Sequence, residues 1–97
     1  MLNHKHILVN ATIKNPINDT AYIEKWFERL VEAVDMKILI PPKVVYCDTS
    51  GNEGVTGIVC IETSHSSIHI WSKAEVPFLN YFGESVKKIL LIKFRIC

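Results

Sequence analysis

Residues 55–71 constrain the fold more than any other stretch, because two strand-like segments are joined there by only a few polar residues. Residues 55–61 form an apolar run rich in β-branched side chains. In residues 66–71, isoleucines alternate with polar or aromatic side chains. Both patterns are typical of β-strands. Thr63 and Ser64 lie between them, and we predict that the chain turns sharply at this point.

The alternation after the turn assigns side chains to the two faces of the second strand. Ile68 and Ile70 point to one face of the strand. Ser67, His69 and Trp71 point to the other face. A sharp turn at Thr63-Ser64 followed by this strand would place the Ser64 hydroxyl beside the His69 imidazole, near Thr56. A hydroxyl held beside a base on a rigid support suits covalent chemistry.

Residues 20–36 predict an amphipathic helix. Apolar side chains recur there at i, i+3, i+4, i+7, i+8 and i+11: Ile23, Trp26, Phe27, Leu30, Val31 and Val34. The preceding segment, residues 15–19, is rich in turn-forming residues, and Asp19 or Thr20 can cap the helix.

The remaining segments predict further strands and a second helix. Residues 6–13 alternate like a half-buried strand. Residues 37–46 are rich in β-branched residues but contain Pro41-Pro42, so this strand is expected at a sheet edge or broken in its middle. Residues 76–82 predict a strand, and residues 84–94 predict a short helix.

This order of elements predicts an α+β fold, in which helices pack on one face of an antiparallel β-sheet. Ninety-seven residues make one domain, residues 1–97. An apolar content of 48% is high for so short a chain, which predicts a homo-oligomer with the Ser64 turn close to an interface. A net charge of +1, without basic clusters among aromatic residues, disfavours nucleic acid as a partner.

The sequence also bears on location and redox state. No apolar run reaches membrane-spanning length, and the polar start does not lead into a signal-peptide pattern, so we expect a cytoplasmic protein without a membrane partner. The three cysteines, Cys47, Cys60 and Cys97, show no CxxC spacing. An odd count without such spacing predicts reduced thiols.

Taken on their own, these residues also have less specific interpretations. The turn at Thr63-Ser64 could be a polar hairpin turn whose hydroxyls cap backbone groups, and His69 could be a satisfied histidine on a half-exposed strand. His65 and His69 have a metal-binding spacing for a helix, but the local pattern is a strand and HExxH is absent, so we predict no metal site. A serine hydrolase would want GxSxG, which is absent.

The segment SHSSIHIW, residues 64–71, resembles the ESHxSIHTW signature of the prokaryotic S-adenosylmethionine decarboxylases, self-cleaving enzymes that carry a pyruvoyl group. Upstream, Gly54-Val55-Thr56-Gly57 is similar to the family's GVSG at the matching distance. The resemblance covers residues 5 to about 83 and is most specific in its central third. It implies an S-adenosylmethionine decarboxylase-like sandwich, assembled as a homodimer or a multiple of it.

The resemblance also implies a reaction. In the family a serine hydroxyl attacks the carbonyl of the preceding residue, and β-elimination then breaks the chain and leaves a pyruvoyl group. By position, Ser64 corresponds to that serine, His69 to the base and Thr56 to the assisting hydroxyl, with cleavage between Thr63 and Ser64. The pyruvoyl carbonyl would form a Schiff base with S-adenosylmethionine and accept the electrons released with CO2, for polyamine synthesis.

The sulfonium cation of that substrate should meet an aromatic face or a carboxylate. Glu53, Trp71 and Phe82 have suitable types, and His65, within the signature, is also assigned to substrate binding.

The sequence departs from the family at two places. Thr63 stands where the family has glutamate. Residues 79–84 lack the cysteine that in the family protonates the decarboxylated intermediate, and Tyr81 or Glu84 is expected to take its place, with Tyr81 preferred. These departures predict weak turnover, a pyruvoyl enzyme for another amino acid, or an inactive homologue that binds S-adenosylmethionine or a partner subunit.

Overall fold

The computed structural model describes residues 6–84, which form five β-strands and one α-helix. In chain order these are β1 (His6–Thr12), α1 (Thr20–Ala33), β2 (Ile38–Cys47), β3 (Gly54–Ile61), β4 (Ser64–Trp71) and β5 (Phe78–Glu84). The strands form one antiparallel sheet in the order β1-β5-β4-β3-β2, with α1 packed on one face. The α+β prediction is confirmed. The predicted helix over residues 84–94 lies outside the described residues, apart from Glu84, which ends β5.

The β3–β4 hairpin turns one residue earlier than predicted. Ile61 pairs with Ser64, so the turn consists of Glu62 and Thr63 alone. Because Ser64 is already paired, the alternation of β4 begins at Ser64 rather than at Ser66.

The helix α1 begins and ends for identifiable reasons. The Asp19 carboxylate accepts hydrogen bonds from the backbone N–H groups of Ala21 and Tyr22, at 3.0 and 3.4 Å, which confirms Asp19 as the cap. The helix ends at Ala33, before the predicted residue 36, and Asp35 then adopts the left-handed region at φ 56°. The predicted apolar stripe is buried from Ile23 to Val31.

The strand β2 behaves as its two prolines predict. It lies at an edge of the sheet, and its pairing with β3 shifts between Ile38 and Ile40 and again between Ile40 and Lys43. Proline has no N–H to donate to a neighbouring strand, so an edge position with an interrupted register accommodates Pro41-Pro42.

Two glycines around β3 allow close approach of other parts of the chain. A Cβ at Gly57 would lie 2.9 Å from both Phe27 Cε2 and Val44 Cγ2, so α1 can pack this closely on β3 only over a glycine. Gly54 has φ 149°, and a Cβ there would overlap the Ile70 carbonyl. Other parts of the chain therefore pack against the backbone of both glycines of the GVTG segment, which leaves no space for a Cβ at either position.

The sheet has a covered face and an open face. The covered face lies against α1 and, together with the helix, forms the core: Ile13, Ile23, Trp26, Phe27, Leu30, Val31, Val44, Val55, Val59, Ile61, Ile68, Ile70, Leu79 and Tyr81. Within residues 6–84, no element packs on the other face, which we call the open face. It exposes four large apolar side chains to between 40% and 64%: Leu8, Val45, Ile58 and Phe82.

We predict that Gly57→Ala lowers the free energy of unfolding by about 1–3 kcal/mol, because the new methyl group overpacks the contact between Phe27 and Val44. Urea denaturation measures this change. Glu28→Ala, at the exposed helix position next to Phe27, serves as the control and should change stability by only about 0.5 kcal/mol. Equal stability of Gly57→Ala and the wild type would show that α1 does not need a glycine beneath it.

Candidate active site

A depression of about 440 Å³ lies on the open face, across β2, β3 and β4. It is lined by Lys43, Val45, Thr56, Gly57, Ile58, His65, Ser67 and His69. The three residues from β4 are alternate positions of one strand, which the strand geometry directs to one side. Alternation therefore collects two imidazoles and a hydroxyl on one surface.

Thr56 and His69 are directly opposite each other in the β3–β4 register, and Thr56 Oγ1 lies 3.2 Å from His69 Nδ1. The predicted proximity of these two residues is confirmed. A hydrogen bond at Nδ1 restricts the orientation of the ring and makes Nε2 the nitrogen that can act on a further group. His69 is exposed, so that further group can approach from outside the chain.

Ser64 does not lie beside His69 within the chain. Five positions separate them along β4, which is about 16 Å at a rise of 3.3 Å per residue. Ser64 shares its parity with Ser66 and Ile68, which are buried on the covered face, and it does not line the depression. The expected juxtaposition is therefore wrong for a single chain, because five positions of extended strand separate the two side chains and their opposite parity directs them to different faces.

The turn before Ser64 is held to the segment that precedes β2. The backbone N–H of Glu62 donates to the Lys37 carbonyl at 3.1 Å, and the Lys37 N–H donates to the Glu62 carboxylate at 2.8 Å. Glu62 and Thr63 are both exposed, whereas Ser64 is half-buried with its Oγ 3.5 Å from the His65 carbonyl oxygen. The peptide bond between Thr63 and Ser64 thus lies at the exit of an exposed turn that is anchored at two points.

An aromatic pair lies beside the depression. The rings of Trp71 and Phe78 stack with their centroids 4.5 Å apart and an interplanar angle of 9°. Trp71 Nε1 donates to Asn52 Oδ1 at 3.2 Å, and the Trp71 ring is 6.0 Å from the His69 ring. Phe78 and Asn52 carry no distinguishing sequence signal, since only the sheet register and the β2–β3 loop bring them to Trp71.

The other two predicted substrate residues, and Phe82, have different surroundings. His65 lines the depression, and its ring centroid lies 5.8 Å from that of Phe82. Glu53 lies in the β2–β3 loop and does not line the depression: its carboxylate accepts from the Gly51 N–H and its carbonyl from the Ser72 N–H, each at 3.1 Å. Glu53 therefore shapes the loop that carries the partner of Trp71.

Tyr81, the expected proton donor, lies on the covered face. Its side chain is buried, its hydroxyl is 2.9 Å from Ser66 Oγ, and its ring packs edge-on against Trp26 at 6.0 Å. The parity of β5 directs Tyr81 away from the depression, so its hydroxyl does not reach His69.

The ionisable side chains around the depression are all basic: Lys43, His65 and His69. An anionic group of a ligand is therefore favoured there over a cationic one. Lys43 was not predictable from the sequence, because two prolines and an irregular register obscure the alternation of β2. Within residues 6–84, His, Cys, Asp and Glu side chains form no cluster of three that could hold a metal ion.

Comparison with known proteins gives one match. The family model described as S-adenosylmethionine decarboxylase matches residues 5–87, whereas no curated protein and no solved structure matches the chain. In the described part of the chain, no helix is long and apolar enough to cross a membrane. Because the family match spans most of the 97 residues, including the Thr56–His69 pair and the turn before Ser64, the chain belongs to the S-adenosylmethionine decarboxylase family.

Proposed function

We propose that this chain is a pyruvoyl-dependent decarboxylase of S-adenosylmethionine that cleaves itself between Thr63 and Ser64 and acts in cytoplasmic polyamine synthesis, including that of spermidine. The observation that carries the proposal is the position of Ser64. It is the first residue of β4 and directly follows an exposed two-residue turn, so its hydroxyl belongs to the residue after an exposed threonine. The family match supports an activity of this type.

The cleavage needs only atoms of the chain and one water molecule. Ser64 Oγ adds to the carbonyl carbon of Thr63, and the C–N bond between the two residues breaks to give an ester and an amino group. Removal of the Ser64 Cα proton then breaks the Cβ–Oγ bond and releases residues 1–63 with a terminal carboxylate. Hydrolysis with loss of ammonia leaves a keto group at the start of residues 64–97. Imidazole is suited to the proton transfers because it exchanges protons near neutral pH.

The residues present fit such a group. Ser64 supplies its atoms, and pairing with Ile61 would hold that residue in the sheet. When formed, a pyruvoyl group supplies an electron sink for the loss of CO2 from an amino acid bound to it. The neighbouring residues have the tasks of orienting the substrate and moving protons.

The base in this scheme comes from a second copy of the chain. Within one chain, His69 lies about 16 Å from Ser64 along β4 and on the other face of the sheet. The open face combines the Thr56–His69 pair with exposed apolar side chains, among them Ile58 and Phe82. A homodimer that covers this face would bury those side chains and could bring His69 of one copy to the Ser64 turn of the other.

Substrate recognition follows from the two parts of the site. The stacked rings of Trp71 and Phe78 offer an aromatic surface for the sulfonium cation. The basic depression, with Lys43 and His65 among its lining residues, suits the carboxylate of the same substrate. A sulfonium inside the depression would instead meet Lys43 and two imidazoles and no carboxylate, so this charge distribution orients the substrate.

Cys60 is our candidate for the proton donor in place of Tyr81. It is half-buried on the open face and directly opposite His65, one residue before the Ile61–Ser64 pair. Directly opposite side chains of antiparallel strands have their Cβ atoms about 5 Å apart, so a thiol and an imidazole adjoin the turn. The Cys60 thiol lies on the face that carries the depression, so it can return a proton to the carbon that loses CO2 when the substrate occupies that depression.

A second candidate function is binding of S-adenosylmethionine, a related amino acid or a partner subunit without turnover. Lys43 favours it, because a cation at the carboxylate stabilises the bound substrate relative to neutral CO2 and so opposes decarboxylation. In that case the chain stays in one piece and still binds the substrate.

The first test is the mass of the purified protein. Wild-type protein at neutral pH should give two fragments that meet at Thr63 and Ser64, whereas Ser64→Ala should give one full-length mass. Ser50→Ala, in the β2–β3 loop, is the control and should cleave like the wild type. A wild-type chain that remains intact after long incubation, yet binds S-adenosylmethionine, would replace the decarboxylase proposal with the second candidate.

A mixing experiment tests whether two copies share one site. Ser64→Ala keeps His69, and His69→Ala keeps Ser64, so neither variant alone should cleave at an appreciable rate. When the two are unfolded together and refolded as a mixture, the His69→Ala chains should be cleaved, and light scattering should show a dimer. Cleavage of His69→Ala alone at the wild-type rate would exclude His69 as the base. Failure of the mixture to cleave, with dimers present, would exclude the shared site.

The role of Cys60 is tested by the number of turnovers before the enzyme inactivates. If the proton returns to the wrong carbon, the amino group of the substrate would pass to the pyruvoyl group and inactivate it. Cys60→Ala should therefore complete at least about tenfold fewer turnovers per chain, at an unchanged extent of cleavage. That factor corresponds to about 1.4 kcal/mol between the two protonation routes. Cys47→Ala, the other described cysteine, is the control and should match the wild type. Equal turnover numbers for both variants would rule out Cys60.

A further inference from the structure

The covered face contains a buried polar pair near the Ser64 turn. Ser66 Oγ and Tyr81 OH lie 2.9 Å apart, and the two residues are 2% and 0% exposed. Among the residues the structure describes, Ser66 is the buried residue that is neither hydrophobic nor glycine, and the other polar atoms of the core, Tyr81 OH and Trp26 Nε1, belong to aromatic side chains. Burial of a hydroxyl group is unfavourable unless it forms a hydrogen bond. The core therefore depends on this hydrogen bond to offset the cost of burying both hydroxyls.

The surroundings of the pair are arranged around it. Ser66 is directly opposite Gly83 on β5, and a Cβ at Gly83 would lie only 2.5 Å from Ser66 Oγ and 2.8 Å from Ser66 Cα. The glycine thus leaves the space in which the Ser66 side chain reaches Tyr81. On its other side, the Tyr81 ring packs edge-on against Trp26 of α1. The pair therefore connects the start of β4 to β5 and, through Tyr81, to the helix.

The position along β4 relates this pair to the cleavage. Ser66 lies two residues after Ser64 and on the same face of the strand. It is paired on both sides, with Val59 of β3 and Gly83 of β5. After cleavage, only Ser64 and His65 would precede it in the new chain. Ser66 is thus the first buried anchor behind the residue that reacts.

We propose that Ser66 and Tyr81 are positioning residues for the self-cleavage, an inference that rests on the proposed function. Their hydrogen bond holds the first residues of β4 in the sheet, so that the backbone of Ser64 keeps the position from which its hydroxyl can turn to attack the Thr63 carbonyl. Neither side chain touches the reacting atoms in this scheme. A loss of orientation lowers the rate of an intramolecular attack even where the fold persists.

Three variants separate positioning from mere stability: Ser66→Ala, Tyr81→Phe and the double variant. Each single change removes one partner from a buried hydroxyl and should lower both the urea midpoint and the cleavage rate, the latter at least about tenfold. The double variant removes both hydroxyls, so its stability should return toward the wild type. Its cleavage rate should nevertheless remain at least about tenfold below that of the wild type. Recovery of the cleavage rate together with stability would overturn the proposal. Tyr46→Phe, at an exposed tyrosine of β2, is the matched control and should alter neither quantity.

A second readout does not require cleavage. In the Ser64→Ala background, amide hydrogen exchange at His65 should become at least about tenfold faster when Ser66→Ala and Tyr81→Phe are added together, while exchange at Ile70 should not change. Unchanged exchange at His65 would overturn the positioning role. If the wild type never cleaves, the proposed self-processing fails, and this comparison still decides whether the pair holds the start of β4.

Discussion

The structure depends on the pairing of Ile61 with Ser64 across a two-residue turn. This one pairing sets the register of β3 against β4 and with it the face of every side chain on both strands. It brings Thr56 opposite His69 on the open face and sends Ser66 and Ile68 into the core. A shift of one residue would exchange the two sets and bury the imidazoles.

A second constraint is that a single described helix covers a five-stranded sheet. The close approach of α1 over Gly57 seals one face and leaves the other face to carry both the depression and exposed apolar side chains. A small domain buries a small fraction of its own surface, so a partner that covers exposed apolar side chains adds strongly to its stability. The same feature therefore supports both the dimer and the shared site in the proposed function.

Local features of the fold were predictable because neighbouring residues cause them. Asp19 caps α1 through its own carboxylate, and Pro41-Pro42 keep β2 at an edge because they lack N–H groups. The contact between Thr56 and His69 was predictable from the resemblance and from strand pairing. The expected contact between Ser64 and His69 does not form within one chain, because the two residues lie five positions apart on β4 and on opposite faces of the strand. The burial of Tyr81 was not predictable either: its residue type suits a proton donor at a surface, but the parity of β5 directs its side chain into the core.

The sequence by itself determined the class of fold, the helix with its cap and buried stripe, and the family, because these follow from periodicity, local chemistry and a specific motif. Only the tertiary structure decided which reactive side chains share a surface. Lys43, Ile58 and His65 come together from three strands. Ser66 meets Tyr81 through the β4–β5 register and the space above Gly83. These contacts join residues that are distant in the chain. They depend on the hydrogen-bond register between strands, and no single segment of the sequence encodes that register.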